Sequence, residues 1–346
     1  MPNPFFFAGK ITNPELFIGR EKELKKIFGY LDTTHTGQVQ HVSVVGARRI
    51  GKSSLLYHIS QNPEKYLKNT KKYRFIYLYL YSPYYHTLNG LIQHTLGLLE
   101  LPTLKKPTLE QFYECVENLN SKKKVWSVFL MDEFEHLTQR NTEFKDSFFE
   151  SLRSLGNNNL AGIITASQKP LKDLAQQGKL TSPFFNIFHQ IDLGEFTDGE
   201  TQTLLSRGSF NQEECNEIKK IAGNHPARLQ IVGNLIYEVK TNNEIVNWKQ
   251  IRKDAYKEPP FVEQVEKQEN RKNWLVRAFL WLVWDMPKNI GHTIMVLINR
   301  GEHTNDAADR MLGFFLIAVF FGVLIGIIPW SLATKYIRRF SELFVR

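Results

Sequence analysis

Residues 46–53 read Gly46-Ala47-Arg48-Arg49-Ile50-Gly51-Lys52-Ser53, the composition and spacing of a Walker A phosphate-binding loop. The glycines let the backbone curl until its N–H groups face phosphate oxygens. Lys52 brings a compact positive charge to the outer phosphates, and Ser53 offers a hydroxyl ligand to Mg2+. Gly46, Arg49, Gly51 and Ser54 lie in the same cradle and are read as nucleotide-binding positions with them. A second pattern, Val128-Phe129-Leu130-Met131-Asp132-Glu133, is an apolar run ending in two acids. Asp132 suits the Mg2+ shell opposite Ser53, and Glu133 suits a base that accepts a proton from an attacking water. Glu135 and His136 are weaker candidates and read as polar residues at a helix start.

Positioning these groups requires a strand before each motif and a helix after the first. Val42-Ser43-Val44-Val45 is a buried-strand pattern, and Ser54 to Ile59 reads as a helix whose N-terminus favours anions. Strands are expected at 40–45, 74–81, 125–131, 161–166 and 188–193. Helical stretches at 88–99, 109–118 and 143–155 alternate with them, which implies a parallel sheet covered by helices on both faces. Past Asp198 the strands cease and three short helical patterns follow, at 199–206, 212–221 and 227–238. The fold class expected is α/β: a parallel-sheet P-loop NTPase over 1–197, with a small helical lid over 198–242. Residues 243–272, charged and weakly periodic around Pro259-Pro260, read as a linker or an exposed helix.

The chain has 346 residues, 42% apolar and 23% charged, enough for one large or two medium globular domains. A net charge of +9 permits nucleic acid or an anionic membrane surface as partner and identifies neither. Cys115 and Cys215 match no metal spacing and fit a reducing compartment. The N-terminus lacks the basic start and apolar run of a signal sequence.

Residues 273–346 read as a membrane-associated helical region. From Met311 to Ala333 there are 23 residues without a charge, with Trp330 near one end. As a helix they extend about 35 Å, the thickness of a bilayer, and a transmembrane helix is expected. Gly322-Val323-Leu324-Ile325-Gly326 permits close helix contact and self-association. The tryptophan-rich run 274–284 is too short to span and reads as interfacial, although 274–298 remains open as a first span. Lys335, Arg338 and Arg339 after the segment favour a cytosolic tail. ATP requires a cytosolic N-terminal region, and one span cannot satisfy both.

Asn3-Pro4-Phe5 and Leu16-Phe17-Ile18-Gly19-Arg20-Glu21-Lys22-Glu23-Leu24 carry the pattern F-x-G-R-x-x-E. With the two phosphate motifs, they resemble the entry segment of STAND-type P-loop ATPases of the AAA+ superfamily, over roughly residues 3–240. The resemblance implies ATP or ADP with Mg2+ as cofactors, slow regulatory hydrolysis, and a nucleotide-dependent homo-oligomer. It places Ile18 and Gly19 along the adenine. It makes Ser167, at the end of 161–167, a sensor of the γ-phosphate, the alternative being a turn residue before Pro170. Gly223-Asn224-His225-Pro226 resembles the lid's G-x-P element, so Pro226 touches base and ribose, and Arg228 either reaches the phosphates or faces solvent. Arg153 falls where AAA+ arginine fingers occur, or is a structural or interface residue. No winged-helix domain or repeat array follows, so the triggering partner is not implied. Membrane-acting STAND relatives imply a signalling or antiviral-defence context. An ATPase acting on nucleic acid, and an ATP-binding scaffold without turnover, remain the alternatives.

Overall fold

Five apolar runs become the strands of one parallel sheet: β1 (His41–Val45), β2 (Tyr73–Tyr79), β3 (Trp126–Asp132), β4 (Ala161–Ser167) and β5 (Phe188–Asp192). They lie side by side in the order β2-β3-β4-β1-β5. The computed structural model describes residues 3–5, 9–32, 37–102 and 105–262, and from the C-terminal part only 286, 288–290, 313–317, 319, 323, 330, 332 and 334. β1 and β4 are buried at every position, as central strands covered on both faces must be. The expected strand positions and the observed ones differ by no more than two residues at either end.

The connecting helices are α1 (Glu21–Leu31), α2 (Lys52–Gln61), α3 (Leu88–Leu98), α4 (Leu109–Lys123), α5 (Glu135–Gln139), α6 (Asp146–Asn157) and α7 (Leu171–Gln177). Alternate side chains of β3 divide the core. Phe129 and Met131 pack with Ile163 against α3, α4 and α6, whereas Val128 and Leu130 pack with Ile164 against α1 and α2. Pairing of Val45 with both Ser167 and Asp192 levels the C-terminal ends of β4, β1 and β5. The loops leaving those ends therefore converge, the position where α/β sheets bind ligands.

The lid consists of α8 (Asp198–Ser206), α9 (Gln212–Ala222), α10 (Pro226–Thr241) and α11 (Trp248–Ala255). The last of these lies in the stretch expected as a linker or an exposed helix, and it is a helix, packed rather than exposed. Asn247 caps α11 by accepting from the N–H groups of Lys249 and Gln250, and Ile251, Ala255 and Phe261 are buried in the lid core. Ile251 and Ala255 sit one turn apart within a run of charges, so composition hid a packed helix. The N-terminal segment also belongs partly to the lid. Phe5 stacks on Phe210 with ring centroids 5.4 Å apart, and Ile18 joins the same cluster.

Contacts divide the chain into Met1–Phe261 and Val262–Arg346. Among the described residues no helix is long and apolar enough to cross a membrane. The segment expected to span, 311–333, lies for the most part outside the described residues, as does the run 274–284.

His41 provides a test of the packing at the base of β1. It is buried, its Nδ1 accepts from the Ile163 N–H at 3.1 Å, and burial lowers its pKa from 6.5 to about 4. The folded state therefore binds fewer protons than the unfolded one between those values. Stability is fully present above pH 6.5 and falls as pH drops toward 4, by about 2 kcal/mol at pH 5. Denaturant unfolding at pH 7 and pH 5 should show this loss, and His41→Asn should flatten that part of the pH dependence.

Candidate nucleotide site

The P-loop joins β1 to α2. Gly46 opens it by donating its N–H to the Ser167 carbonyl at 3.1 Å. A Cβ here would lie 2.7 Å from the Leu193 carbonyl oxygen and 2.9 Å from Ile50 Cγ2, so the close approach admits only glycine. Arg49 and Gly51 turn the loop with φ of 59° and 104°. Lys52 then starts α2, leaving the helix's first N–H groups for an anion. Lys52 is buried, and its Nζ donates to the Gly46 and Ala47 carbonyls at 2.9 and 3.0 Å. Burial pushes its pKa down, while Glu133, Glu135 and Asp132 pull it back up.

Those three acids stand at the end of β3, separated from β1 by β4 alone. Asp132 is fully buried; its Oδ2 accepts from the Tyr77 hydroxyl at 2.7 Å and its Oδ1 from the Glu133 N–H at 3.1 Å. Burial, then the adjacent Asp132 carboxylate, hold the Tyr77 hydroxyl firmly protonated. Glu133 adopts φ of 56°, a left-handed conformation that ordinary residues enter only when the surroundings impose it. Burial raises its pKa, followed by the charges of Glu135 and Asp132, with Lys52 and Arg48 opposing. Ser53 and Asp132 offer hard oxygen donors, which suit an Mg2+ ion that keeps waters and phosphate oxygens as its other ligands. Among the described residues no group of three or more His, Cys, Asp or Glu is arranged to hold a metal by itself.

The N-terminal segment passes over the P-loop helix. The Ile11 N–H donates to Ser54 Oγ at 2.9 Å, and the Phe17 ring stacks on His58 at 4.0 Å. Lys10 Nζ lies 4.4 Å from the centre of the Tyr77 ring and 4.9 Å from that of Tyr57. The segment then reaches Gly19 and Arg20. A Cβ on Gly19 would collide with the Glu200 carboxylate, and φ there is 67°.

Arg20, only 4% exposed, is the principal residue that sequence reasoning missed. Its Nη2 donates to the Ile50 carbonyl at 3.0 Å and to the Gly194 carbonyl at 2.8 Å. Its guanidinium also lies over the Phe196 ring at 4.8 Å, and its backbone N–H donates to Glu200. Burial opposes the Glu200 charge, but the N–H groups of Arg20 and Thr197 outweigh it and hold the carboxyl below its ordinary range. Thr197-Asp198-Gly199-Glu200 is legible as a capping box; its second use, on Gly19 and Arg20, is not.

From the lid, His225 and Pro226 form the start of α10, and both are buried. His225 faces the Arg48 backbone, and burial followed by the Arg228 charge lowers its pKa to about 4. Arg228 is turned another way: its Nε donates to the Pro260 carbonyl at 3.2 Å and its guanidinium lies over Phe261. Ile18 packs in the lid core. Ser167 uses its hydroxyl to donate to the Lys169 carbonyl at 2.7 Å, closing the turn before Pro170. Gly156, on α6, lies against His41 at the end of β1 away from the P-loop, and Arg153 is one turn earlier. The structure therefore brings together the P-loop, Asp132, Glu133, Glu135, Ser167 and the start of α10, and leaves Arg153 apart from them within the chain.

This sheet order, with the phosphate loop after β1 and the acidic pair after β3, is that of a P-loop NTPase fold. Residues 37–252, more than half of the chain, match the family model described as Novel STAND NTPase 2. The chain belongs to that family. No curated protein matches its sequence. Among solved structures it is similar to the ORC2 protein of Aeropyrum pernix in ADPNP–ADP complexes, at 13% identity and a TM-score of 0.59, over 99% of this chain and 89% of that one. The Walker-type ATPase PABY2304 of Pyrococcus abyssi gives 17% identity and a TM-score of 0.54, over 87% and 89% respectively. The ORC1 protein of Aeropyrum pernix in complex with DNA gives 12% and 0.52, over 95% and 84%. At these identities the likeness is one of fold.

Removing the Arg20 guanidinium leaves two loop carbonyls without their donor. Arg20→Ala should cost roughly 3 kcal/mol in denaturant unfolding and weaken binding of a fluorescent ADP analogue at least tenfold. Arg20→Lys should restore little, because a lone ammonium does not reproduce the planar fork.

Proposed function

We propose that this chain is an ATP-operated switch that hydrolyses ATP slowly, changes its assembly state with the bound nucleotide, and acts at a membrane through residues 273–346. The observation that carries the reading is the Arg20 bracket. One buried side chain joins the P-loop, the chain leaving β5, and the lid. A nucleotide that displaces the loop or the start of α10 thereby alters the seating of the lid.

In the hydrolytic step, the P-loop N–H groups and Lys52 hold the outer phosphates, and Glu133 accepts the proton of the attacking water. The new bond joins water oxygen to the γ-phosphorus; the bond to the β,γ-bridging oxygen breaks, and ADP retains its electron pair. Mg2+, held by Ser53 and Asp132, supplies charge neutralisation on the phosphates when bound. Arg153 is available to a neighbouring subunit rather than to its own site. The membrane assignment rests on the uncharged run 311–333, and the need for ATP favours a cytosolic ATPase unit.

A second reading, an ATPase acting on nucleic acid, has the net charge of +9 in its favour. It predicts duplex binding whose affinity falls steeply with salt. Two measurements decide for the switch. Purified wild-type protein should turn over ATP, with Glu133→Gln reducing kcat by roughly 10²-fold or more while retaining nucleotide. In detergent, particle size should differ between ADP and ATP, and Lys52→Ala should abolish the difference. Identical sizes in both nucleotides would sink the switch.

A further inference from the structure

Glu135 is a polar residue of a short helix start that belongs, by sequence, on the surface. The fold puts it elsewhere. The turn after β3 crosses the end of β4, with the Phe134 N–H donating to the Ala166 carbonyl at 2.9 Å. This carries Glu135 from the Walker B strand toward β1 and the P-loop. There it is 6% exposed, its Oε1 accepts from the Gln168 N–H at 3.4 Å, and its Oε2 has no partner among the described residues. The strand order makes the location specific: β4 is the one strand between the acids of β3 and Lys52.

We propose that Glu135 is a catalytic residue of ATP hydrolysis, its free oxygen accepting a hydrogen bond from the attacking water on the β4 side while Glu133 accepts that water's proton. The inference rests on the hydrolytic reading above. Three observations favour it over a purely structural cap for Gln168. A cap needs one oxygen, and the bond it makes is long. A buried carboxylate oxygen without a donor is costly, and such groups persist where a ligand or water completes them. The field of Glu135 also falls on Lys52 and on Glu133, the two groups between which a γ-phosphate and its water would sit. A water held by two acceptors has both protons directed away from phosphorus and a lone pair directed toward it. In the step, the water's oxygen bonds to phosphorus, one proton passes to Glu133, and ADP leaves with the bridging oxygen's electron pair, while Glu135 only accepts a hydrogen bond.

The test uses full-length protein in detergent, comparing wild type, Glu133→Gln, Glu135→Gln and Glu135→Ala for ATP turnover, ADP affinity and thermal midpoint. Glutamine preserves the volume and an acceptor for the Gln168 N–H, but replaces one acceptor oxygen with a donor. Glu135→Gln should lose roughly 10²-fold in kcat, with ADP affinity within threefold of wild type and an unchanged midpoint. Glu135→Ala should lose turnover equally and lower the midpoint as well. Wild-type kcat in Glu135→Gln overturns the proposal. So does a joint fall of kcat, ADP affinity and midpoint in that variant, the pattern of a structural cap. Wild type no faster than Glu133→Gln overturns the hydrolytic reading itself, and the role of Glu135 with it.

Discussion

The guanidinium of Arg20 joins parts of the chain that lie beyond the end of the sheet ladder. It holds the P-loop at Ile50, the chain leaving β5 at Gly194, and the lid through the ring of Phe196. Its planar fork suits carbonyls that converge from different directions. Burial lowers its pKa, with the charges of Glu23 and Glu200 opposing, yet a guanidinium remains protonated at any physiological pH. The bracket is therefore insensitive to pH, and the lid is placed relative to the phosphate loop by geometry rather than by titration. Gly19 is the necessary companion: any side chain there would occupy the space of the Glu200 carboxylate.

Around the P-loop the balance of charge is uneven. Three carboxylates stand at the end of β3, while Lys52 is the buried ammonium facing them. Part of the mutual repulsion is borne by hydrogen bonds, Asp132 accepting from the Tyr77 hydroxyl and the Glu133 N–H. The rest is available to act on ligands: it favours a divalent cation beside Asp132 and raises the basicity of Glu133. The left-handed backbone at Glu133 belongs to the same arrangement, since it turns the chain over β4 and carries Glu135 inward.

The sheet and most of its helices were legible because strands of a parallel sheet are buried on both faces and read as continuous apolar runs. The P-loop and the acidic pair were legible because their chemistry is local in sequence. Contacts between distant segments were not. Nothing in the neighbours of Arg20 announces Ile50 or Gly194, and a capping-box glutamate looks complete without its contacts to Gly19 and Arg20. Glu135 was misplaced for a similar reason: helix starts favour acids, and that local preference masked a burial set by the turn over β4. For Ser167 and Arg228 the family likeness leaves a phosphate role and a structural or exposed one open; in the fold the Ser167 hydroxyl closes the turn onto Lys169 and Arg228 donates to the Pro260 carbonyl. The packing of α11 was hidden by charge, because Ile251 and Ala255 are its only buried positions among the described residues.

The N-terminal segment alternates between the two halves of the nucleotide unit. Phe5 is set in the lid core, Ile11 is bonded to Ser54 on the P-loop helix, and Ile18 returns to the lid. Any rotation of the lid must strain one of these attachments, and their strengths decide which. A buried phenylalanine or isoleucine contributes about 1.5–3 kcal/mol. A single backbone-to-hydroxyl hydrogen bond contributes about 1 kcal/mol net, and a partly exposed ammonium over tyrosine rings about as much. Individually the contacts at Ser54 and the Tyr57–Tyr77 pair are therefore the weaker. Tyr77 is also the hydroxyl donor to Asp132. The weaker attachment of the N-terminal segment thus lies one hydrogen bond from Asp132, the residue suited to the metal.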